Sequence, residues 1–174
     1  MYANAWMTVR EDDIRRADGS TGIYGVVDKP HYALVIPLDG DRLHLVEQFR
    51  YPLGMRRWEF PQGTAPNLAA VDAGELAARE LREETGLLAR ELTALGVLDV
   101  APGLTSQRGT VFLATGLTQG EPAREPEEQD MRTAWFARAE FEAMITSGEI
   151  TDAQTIAAYT LLLLHEGLLP HETR

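Results

Sequence analysis

Alternating apolar and polar positions in the first third of the chain predict β-structure. Residues 6–27 hold short alternating stretches around the polar segment 18–20, which predicts a small hairpin or meander. Apolar residues then become denser at 32–38 and 43–51, and the Asp-Gly-Asp segment at 39–41 favours a turn between two paired strands. The first fifty residues are therefore predicted to form a β-segment followed by the start of a sheet.

The pattern becomes helical after a loop with Pro and Gly at residues 61–66. A helix is predicted from near Asp72 to Thr85, with Asp72 as its N-cap and Glu75 three residues later in the reciprocal capping position. Gly86 is placed to end this helix in the left-handed conformation.

The remaining chain returns to strands and ends in helices. Strands are predicted at 92–99 and 109–114 around the loop 101–107, and an acidic loop at 121–130 leads to a strand at 132–136. Helices are predicted at 139–147 and 152–167. This order of elements predicts one α/β (α+β) domain, built as an α/β/α sandwich on a mixed sheet.

Composition narrows the classes of function. The chain of 174 residues has a net charge of -11, which disfavours binding to a nucleic-acid backbone. Acidic side chains could equally form a solvated surface or ligate Mg²⁺ or Mn²⁺. The sequence contains no Cys, and its longest apolar run, 161–164, is far shorter than a membrane span. A soluble, cytoplasmic protein that contacts neither nucleic acid nor membrane is therefore expected.

Three acids of the predicted central helix share one face. Glu80, Glu83 and Glu84 stand at i, i+3 and i+4, and Arg79 can reach Glu83 one turn later. Like charges at this spacing repel, so the arrangement favours a compensating cation, for which a divalent ion is suited. A plain solvated helix face is the alternative interpretation of the same residues.

The segment 79–87 resembles the second half of the Nudix box, Arg-Glu-apolar-x-Glu-Glu-x-Gly-apolar. It matches at every defined position: Arg79, Glu80, Leu81, Glu83, Glu84, Gly86 and Leu87. The first half departs from the box, because Gly63 lies sixteen residues before Arg79 where the pattern has fourteen. Val71 also occupies the place of the first box Glu, beside Asp72.

Segments outside the box are similar to the ADP-ribose pyrophosphatase branch of the Nudix family. They are 46–51, 58–63, 102–105 and 148–153. The resemblance implies metal-dependent hydrolysis of a nucleoside diphosphate linked to X, with ADP-ribose or a related nucleotide sugar as the leading substrate. GDP-mannose or another nucleotide sugar is the alternative substrate, and a nucleotide-sugar sensor without turnover is the alternative class.

The resemblance also implies roles for individual residues in catalysis. Glu80, Glu83 and Glu84, with the backbone carbonyl of Gln62, would hold one to three Mg²⁺ or Mn²⁺ ions, while Arg79 orients Glu83. The general base is expected in the acidic loop, where Gln129 aligns with the usual Glu. The alternatives for the base are Glu127, Glu128, Asp130 or a box glutamate.

Substrate contacts are expected before the box and in the loop after it. Arg50 is a candidate contact for phosphate or ribose, and Arg56 and Arg57 either assist it or form an ordinary surface pair. Trp58 or Trp6 could stack on the base, with core packing as the alternative for each. Two further candidates are Glu59 for the adenine amino group and Leu104 for the sugar pocket.

Relatives in this branch are typically homodimers that exchange an N-terminal β-segment. The resemblance thus implies a homodimer in which residues 1–30 form the exchanged segment and residues 31–174 the Nudix domain.

Overall fold

The computed structural model describes residues 1–65, 71–124 and 129–168. The strands in these residues are β1 (Tyr2–Ala3), β2 (Thr8–Arg15), β3 (Thr21–Asp28), β4 (Tyr32–Asp39), β5 (Arg42–Arg50), β6 (Met55–Glu59), β7 (Gln62–Thr64), β8 (Leu87–Asp99), β9 (Arg108–Gln119) and β10 (Arg132–Ala137). The helices are α1 (Ala73–Thr85), α2 (Arg138–Ser147) and α3 (Ala153–His165), and a 3-10 turn, Tyr51–Leu53, joins β5 to β6.

The predicted N-terminal hairpin is a separate antiparallel sheet in the order β1–β2–β3. None of the side chains in residues 1–28 is buried. The sheet is tied to the loop before β9 by hydrogen bonds from Val27 N to Leu104 O (2.9 Å) and from Tyr24 Oη to Gly103 O (2.9 Å). This sheet therefore contributes little to the hydrophobic core of its own chain.

The main sheet has the order β10–β5–β4–β9–β8 within the described residues. β4 runs parallel to β9 and the other neighbours are antiparallel, so the predicted mixed sheet is confirmed. β4 and β5 pair only beside their turn, at Leu38–Leu43 and Asp39–Arg42. Farther from the turn, β7 pairs with the start of β4 and β6 with the end of β5. The segment β6–β7 therefore lies where these two strands separate.

Helices cover both faces of the main sheet because successive strand residues point to opposite sides. On β4, Leu34 and Ile36 belong to the apolar cluster that contains residues of α2 and α3, whereas Ala33 and Val35 pack with residues of α1. The predicted α/β/α layering is thus confirmed. In the described part of the chain, no helix combines the length and apolar character needed to cross a membrane.

The ends of α1 follow from the residues predicted to cap it. The Asp72 carboxylate accepts hydrogen bonds from Gly74 N (2.9 Å) and Glu75 N (3.0 Å), which satisfies two of the unpaired amides of the first turn. Gly86 has a φ of 77° and donates its N–H to Arg82 O (2.9 Å). The helix therefore begins and ends where the sequence predicted.

Several other bounds differ from the predicted ones. β8 begins at Leu87, five residues before the predicted start, and β9 extends to Gln119. α3 ends at His165, before the predicted end at Gly167. β6 and β7 lie in residues for which no strand was predicted.

Candidate functional site

A cavity of about 500 Å³ opens at the start of α3, beside β6 and β7. Eleven of its fifteen lining residues have polar or charged side chains, and they include acids, cations and amides. The lining residues are Lys29, Tyr32, Arg50, Pro52, Leu53, Arg57, Glu59, Gln62, Gly63, Thr64, Gln107, Thr151, Asp152, Ala153 and Gln154.

A buried ion pair forms part of the cavity wall. Glu59 is only 1% exposed, and its Oε2 accepts hydrogen bonds from Nη2 (2.7 Å) and Nε (3.2 Å) of Arg50. Burial raises the pKa of the Glu59 carboxyl, while the charge of Arg50 acts in the opposite direction. Arg50 keeps 38% of its side chain exposed, so the pair fixes a guanidinium group at the cavity.

Gln62 connects the cavity to helix α1. Its side-chain Nε2 donates to Glu59 Oε2 (3.2 Å) and Asp152 Oδ2 (3.4 Å), and its backbone N–H donates to Glu84 Oε2 (3.2 Å). A Cβ placed on the next residue, Gly63, would lie 2.1 Å from Glu80 Oε2. The two residues therefore bring the cavity within contact of two of the acids on α1.

Two of the three acids of α1 are buried, and the third is partly exposed. Glu80 is 7% and Glu84 1% exposed, whereas Glu83 keeps 29% of its side chain exposed. Arg79 Nη2 lies 3.1 Å from Glu80 Oε1, and Arg79 Nε lies 3.7 Å from Glu83 Oε2. Arg79 thus contacts both acids and partly offsets their repulsion.

The donor set of α1 fits a hard divalent cation by its chemistry. Its members are carboxylate oxygens, and that of Glu80 lies directly against the backbone of Gly63. Among the described residues, no three acidic or histidine groups converge as metal ligands.

The predicted substrate residues divide into those at the cavity and those away from it. Arg50 and Glu59 line it, and so does Arg57. Arg56 instead points to the other side of β6, where it pairs with Glu47 (2.8 Å) and Asp130 (2.6 Å). Alternate residues of a strand face opposite sides, so one member of this Arg pair faces the cavity and the other does not.

Three other predicted contacts lie apart from the cavity. Trp58 packs edge-on against Phe136, with ring centroids 5.0 Å apart, as part of the core. Leu104 is 55% exposed in the loop that bonds to β3. Trp6 is 46% exposed on the N-terminal segment. Trp58 thus packs in the core, which was the alternative interpretation of this residue. Stacking of Trp6 on a base stays a prediction.

Two of the candidates for the general base, Glu127 and Glu128, lie outside the described residues. The residues on either side of them are held by Arg124, whose Nε donates to Glu84 O (3.1 Å) and whose Nη1 donates to Met131 O (2.6 Å). Gln129 Nε2 donates to Arg124 O (3.0 Å), and Asp130 is paired with Arg56. Arg124 therefore joins both ends of the acidic loop to the C-terminal end of α1.

Sequence reasoning did not single out three residues of the cavity. Asp152 caps α3 by accepting from Thr155 N (2.8 Å), and it also accepts from Gln62. Burial, reinforced by the charge of Asp152, raises the pKa of Tyr32 to about 12. Lys29 lies in the link between β3 and β4. The capping position of Asp152 was visible in the sequence, but its second contact depends on the tertiary fold.

Comparison with known proteins relates both parts of the chain to described families. Residues 1–27 match the nucleoside diphosphate sugar hydrolase N-terminal domain, and residues 29–159 match the NUDIX domain. The chain is 36% identical over 161 residues to the ADP-ribose pyrophosphatase of Mycobacterium tuberculosis, covering 90% of this chain and 76% of that protein. It is 31% identical over 163 residues to the ADP-ribose pyrophosphatase of Bacillus subtilis, with 90% and 85% covered.

The fold is also shared with a solved structure. A crystal structure of an ADP compounds hydrolase superposes with a TM-score of 0.77 at 20% sequence identity, covering 97% of this chain and all of that one. At this identity the likeness concerns the architecture alone.

Proposed function

This chain belongs to the Nudix hydrolase family, and we propose that it hydrolyses the pyrophosphate bond of ADP-ribose or a closely related nucleotide sugar. The observation that carries this proposal is the contact of Gln62 and Gly63 with Glu84 and Glu80. The contact brings a polar cavity of nucleotide-binding size together with a cluster of hard oxygen donors. The two ADP-ribose pyrophosphatases among its relatives support the choice of substrate.

Nudix hydrolases generally need divalent metal ions, and we assign this role here to Mg²⁺ or Mn²⁺. Glu80, Glu83 and Glu84 would hold the ion, with the backbone carbonyl of Gln62 as a further oxygen. A bound ion neutralises the diphosphate and lowers the pKa of a coordinated water. Arg79 would then orient Glu83 and balance the remaining charge of the carboxylates.

Arg50 is proposed to bind a phosphate of the substrate. Glu59 holds its guanidinium group by two hydrogen bonds, which reduces the entropy lost when Arg50 receives an anion. The same Glu59 oxygen also accepts a hydrogen bond from Gln62 Nε2 (3.2 Å), so we assign Glu59 to positioning Arg50. Recognition of the adenine amino group by Glu59 stays a prediction.

The general base is proposed to be Glu127 or Glu128. The support for this choice is that Arg124 holds both ends of their loop against the end of α1, beside Glu84. Ala123 N also donates to Glu83 O (3.1 Å), so the described residues before Glu127 lie at the end of α1, where a base that activates water is needed. Gln129 cannot take a proton and is excluded by its chemistry.

We further propose a homodimer in which residues 1–30 contact the partner. A three-stranded sheet without a buried side chain has no core of its own, and it exposes large apolar groups that include Tyr2, Trp6, Ile23 and Tyr24. A second copy could cover this surface. A cytoplasmic location agrees with the absence of Cys and likewise stays a prediction.

A substrate panel tests the proposed function. Purified protein is incubated with ADP-ribose, GDP-mannose, UDP-glucose and a dinucleoside polyphosphate, each with Mg²⁺ and with Mn²⁺, and the products are separated chromatographically. We expect the highest kcat/KM for ADP-ribose, with AMP and ribose 5-phosphate as products. Binding of ADP-ribose without product would favour the sensor, and preferred cleavage of GDP-mannose would favour the other nucleotide-sugar specificity.

A further inference from the structure

Lys29 is the single lysine of the 174-residue chain, and it lines the cavity. The other 15 basic residues are arginines, as the total of 16 Lys and Arg requires. Lys29 is exposed and lies between the last strand of the N-terminal sheet and the first strand of the main sheet. Neither the box nor the substrate contacts described above make use of it.

The backbone on both sides of Lys29 is held in place. Val27 N donates to Leu104 O (2.9 Å), and the Asp28 carboxylate accepts hydrogen bonds from Ser106 Oγ (2.7 Å) and Arg10 Nε (2.8 Å). On the other side, the buried Gln107 side chain donates from Nε2 to Pro30 O (2.9 Å). A lysine in a flexible link would sample many positions, whereas these bonds fix the point from which the Lys29 side chain extends.

The charge of Lys29 is not neutralised within the described part of the chain, where no carboxylate lies within ion-pair distance of its amine. Of the other cavity cations, Arg50 is paired with Glu59, whereas Arg57 donates to the backbone carbonyl of Arg56 (3.1 Å) and, like Lys29, has no acidic partner among the described residues. In a chain with 27 acids and 16 bases, a cavity cation without an acidic partner is suited to receive an anion from a ligand.

Lys29 shares the cavity with Gly63, which lies against the Glu80 carboxylate of α1. Ala33 lies opposite Gly63, whose Cα is covered by the Glu80 carboxylate. Lys29 precedes Ala33 by four residues, so the two backbones are at most about 14 Å apart. Because Gly63 and Lys29 both line the cavity, a nucleoside diphosphate that fills it can contact both residues.

We propose that Lys29 is a substrate-binding residue whose ammonium group donates to a phosphate oxygen of the bound nucleotide sugar. This inference rests on the proposed function, since it takes a nucleoside diphosphate as the ligand. An ammonium–phosphate hydrogen bond is charge-assisted, and Lys29 lines the same cavity as Arg50, the other proposed phosphate-binding cation.

The unique lysine allows a direct test by selective labelling. Reductive methylation with ¹³C-formaldehyde labels the Lys29 amine and the α-amine of Met1, which is fully exposed and serves as an internal reference. With Mg²⁺ present, a methylene-bridged analogue of ADP-ribose that cannot be hydrolysed is titrated in. We expect the Lys29 methyl resonance to shift with saturation while the Met1 resonance stays constant. Saturable inhibition of turnover by the analogue without any shift of the Lys29 resonance would overturn the proposal.

Substitutions provide the second arm of the test. We expect Lys29→Gln to raise KM for ADP-ribose by about tenfold or more and to change kcat less, with Lys29→Arg recovering most of the loss. Arg90→Gln, which removes one positive charge from exposed strand β8, is the matched control and should leave KM unchanged. A KM for Lys29→Gln equal to that of the control contradicts the proposal.

Failure of the Lys29 proposal and failure of the proposed function are distinguished by assaying the wild-type protein beside Lys29→Gln. If wild-type protein cleaves ADP-ribose but Lys29→Gln behaves like the control, only the role of Lys29 is wrong. If wild-type protein cleaves no diphosphate bridge with any ion, the proposed function itself fails.

Discussion

Gly63 is the residue at which the cavity and the acids of α1 come closest. A Cβ at this position would lie 2.1 Å from Glu80 Oε2, and Glu80 is too buried to move freely. We therefore expect Gly63→Ala to displace the Glu80 carboxylate, to lower kcat for ADP-ribose at least tenfold, and to destabilise the protein by about 1–3 kcal/mol.

Steady-state kinetics and urea unfolding check this expectation. Gly25→Ala is the matched control, because a Cβ on Gly25 meets nothing within 4 Å. Wild-type kcat in Gly63→Ala would show that the contact with Glu80 is not needed.

His44 gives the protein a pH dependence that is independent of catalysis. It is 3% exposed beside Trp135, with ring centroids 4.7 Å apart, and burial lowers the pKa of His44 to about 4. The unfolded chain has the ordinary pKa of about 6.5 and therefore binds a proton between pH 6.5 and pH 4 that the folded protein does not. The free energy of unfolding therefore keeps the contribution of neutral His44 above pH 6.5. It falls as the pH drops toward 4, because protonation of His44 favours the unfolded chain.

We predict that His44→Leu reduces this acid sensitivity. Between pH 7 and pH 5, the wild-type free energy of unfolding should fall by about 1–2 kcal/mol more than that of the variant. Urea unfolding at both pH values measures the difference. Equal losses in the two proteins would mean that His44 is protonated in the folded state as readily as in the unfolded one.

Individual site residues differ in how well the sequence predicted them. Glu80, Glu84 and Gly63 belong to a motif, and their proximity follows from a helix packed on the loop before it. Arg56 and Arg57 could not be distinguished, since strand β6 was not predicted and the side each residue faces depends on that strand. Lys29 and Asp152 reach the cavity through tertiary contacts that leave no local pattern in the sequence.

Elements with a strong periodic pattern were predicted well, and the short segment β6–β7 was missed. β6 has two consecutive arginines in its centre, and β7 is three residues long and follows Pro61. Neither segment has the alternation of apolar and polar residues that identifies a strand. Each pairs with β4 or β5 at the point where those two strands have separated. Their strand conformation comes from available backbone partners and not from their own side chains.

The loop between β9 and β10 yields a prediction at the scale of an element. Arg124 connects both of its ends to α1, so Arg124→Met should release the segment that carries Glu127 and Glu128. We expect kcat to fall about tenfold or more, with a smaller change in KM, because the proposed base loses its position while the phosphate-binding cations remain.

The control for this loop is Arg132→Met, whose side chain is 72% exposed at the start of β10. It removes the same charge without the contacts to α1. Equal kcat in Arg124→Met and Arg132→Met would argue that the base lies elsewhere.

At the scale of the whole molecule, the order of elements predicted the layered fold. The sequence did not predict which surface packs against the N-terminal sheet. Alternating residues in 6–27 predicted strands, but every side chain in residues 1–28 is at least partly exposed in the single chain. The alternation of residues along a strand does not indicate whether its apolar side is covered by the same chain or by a second chain. The proposed homodimer supplies that surface.

A charge on the N-terminal sheet tests the proposed dimer. Ile23 is 61% exposed on β3, and Ile23→Asp should shift the protein from dimer to monomer in sedimentation velocity and lower its activity. Val97→Asp places the same charge at an apolar residue that is 60% exposed on β8 and should leave the dimer intact. A wild-type protein that sediments as a monomer would remove the basis of this proposal.

The central claim is that the acids of α1 support hydrolysis of a diphosphate bridge. Its most direct test is kcat for AMP release from ADP-ribose, measured with saturating Mg²⁺ or Mn²⁺ for Glu83→Gln, Glu84→Gln and the exposed control Glu75→Gln on the same helix. Losing only a supporting partner of a metal ligand costs about 10- to 100-fold, so we predict losses of at least ~100-fold for Glu83→Gln and Glu84→Gln, with Glu75→Gln near wild type. Undiminished kcat in both site variants would contradict the account.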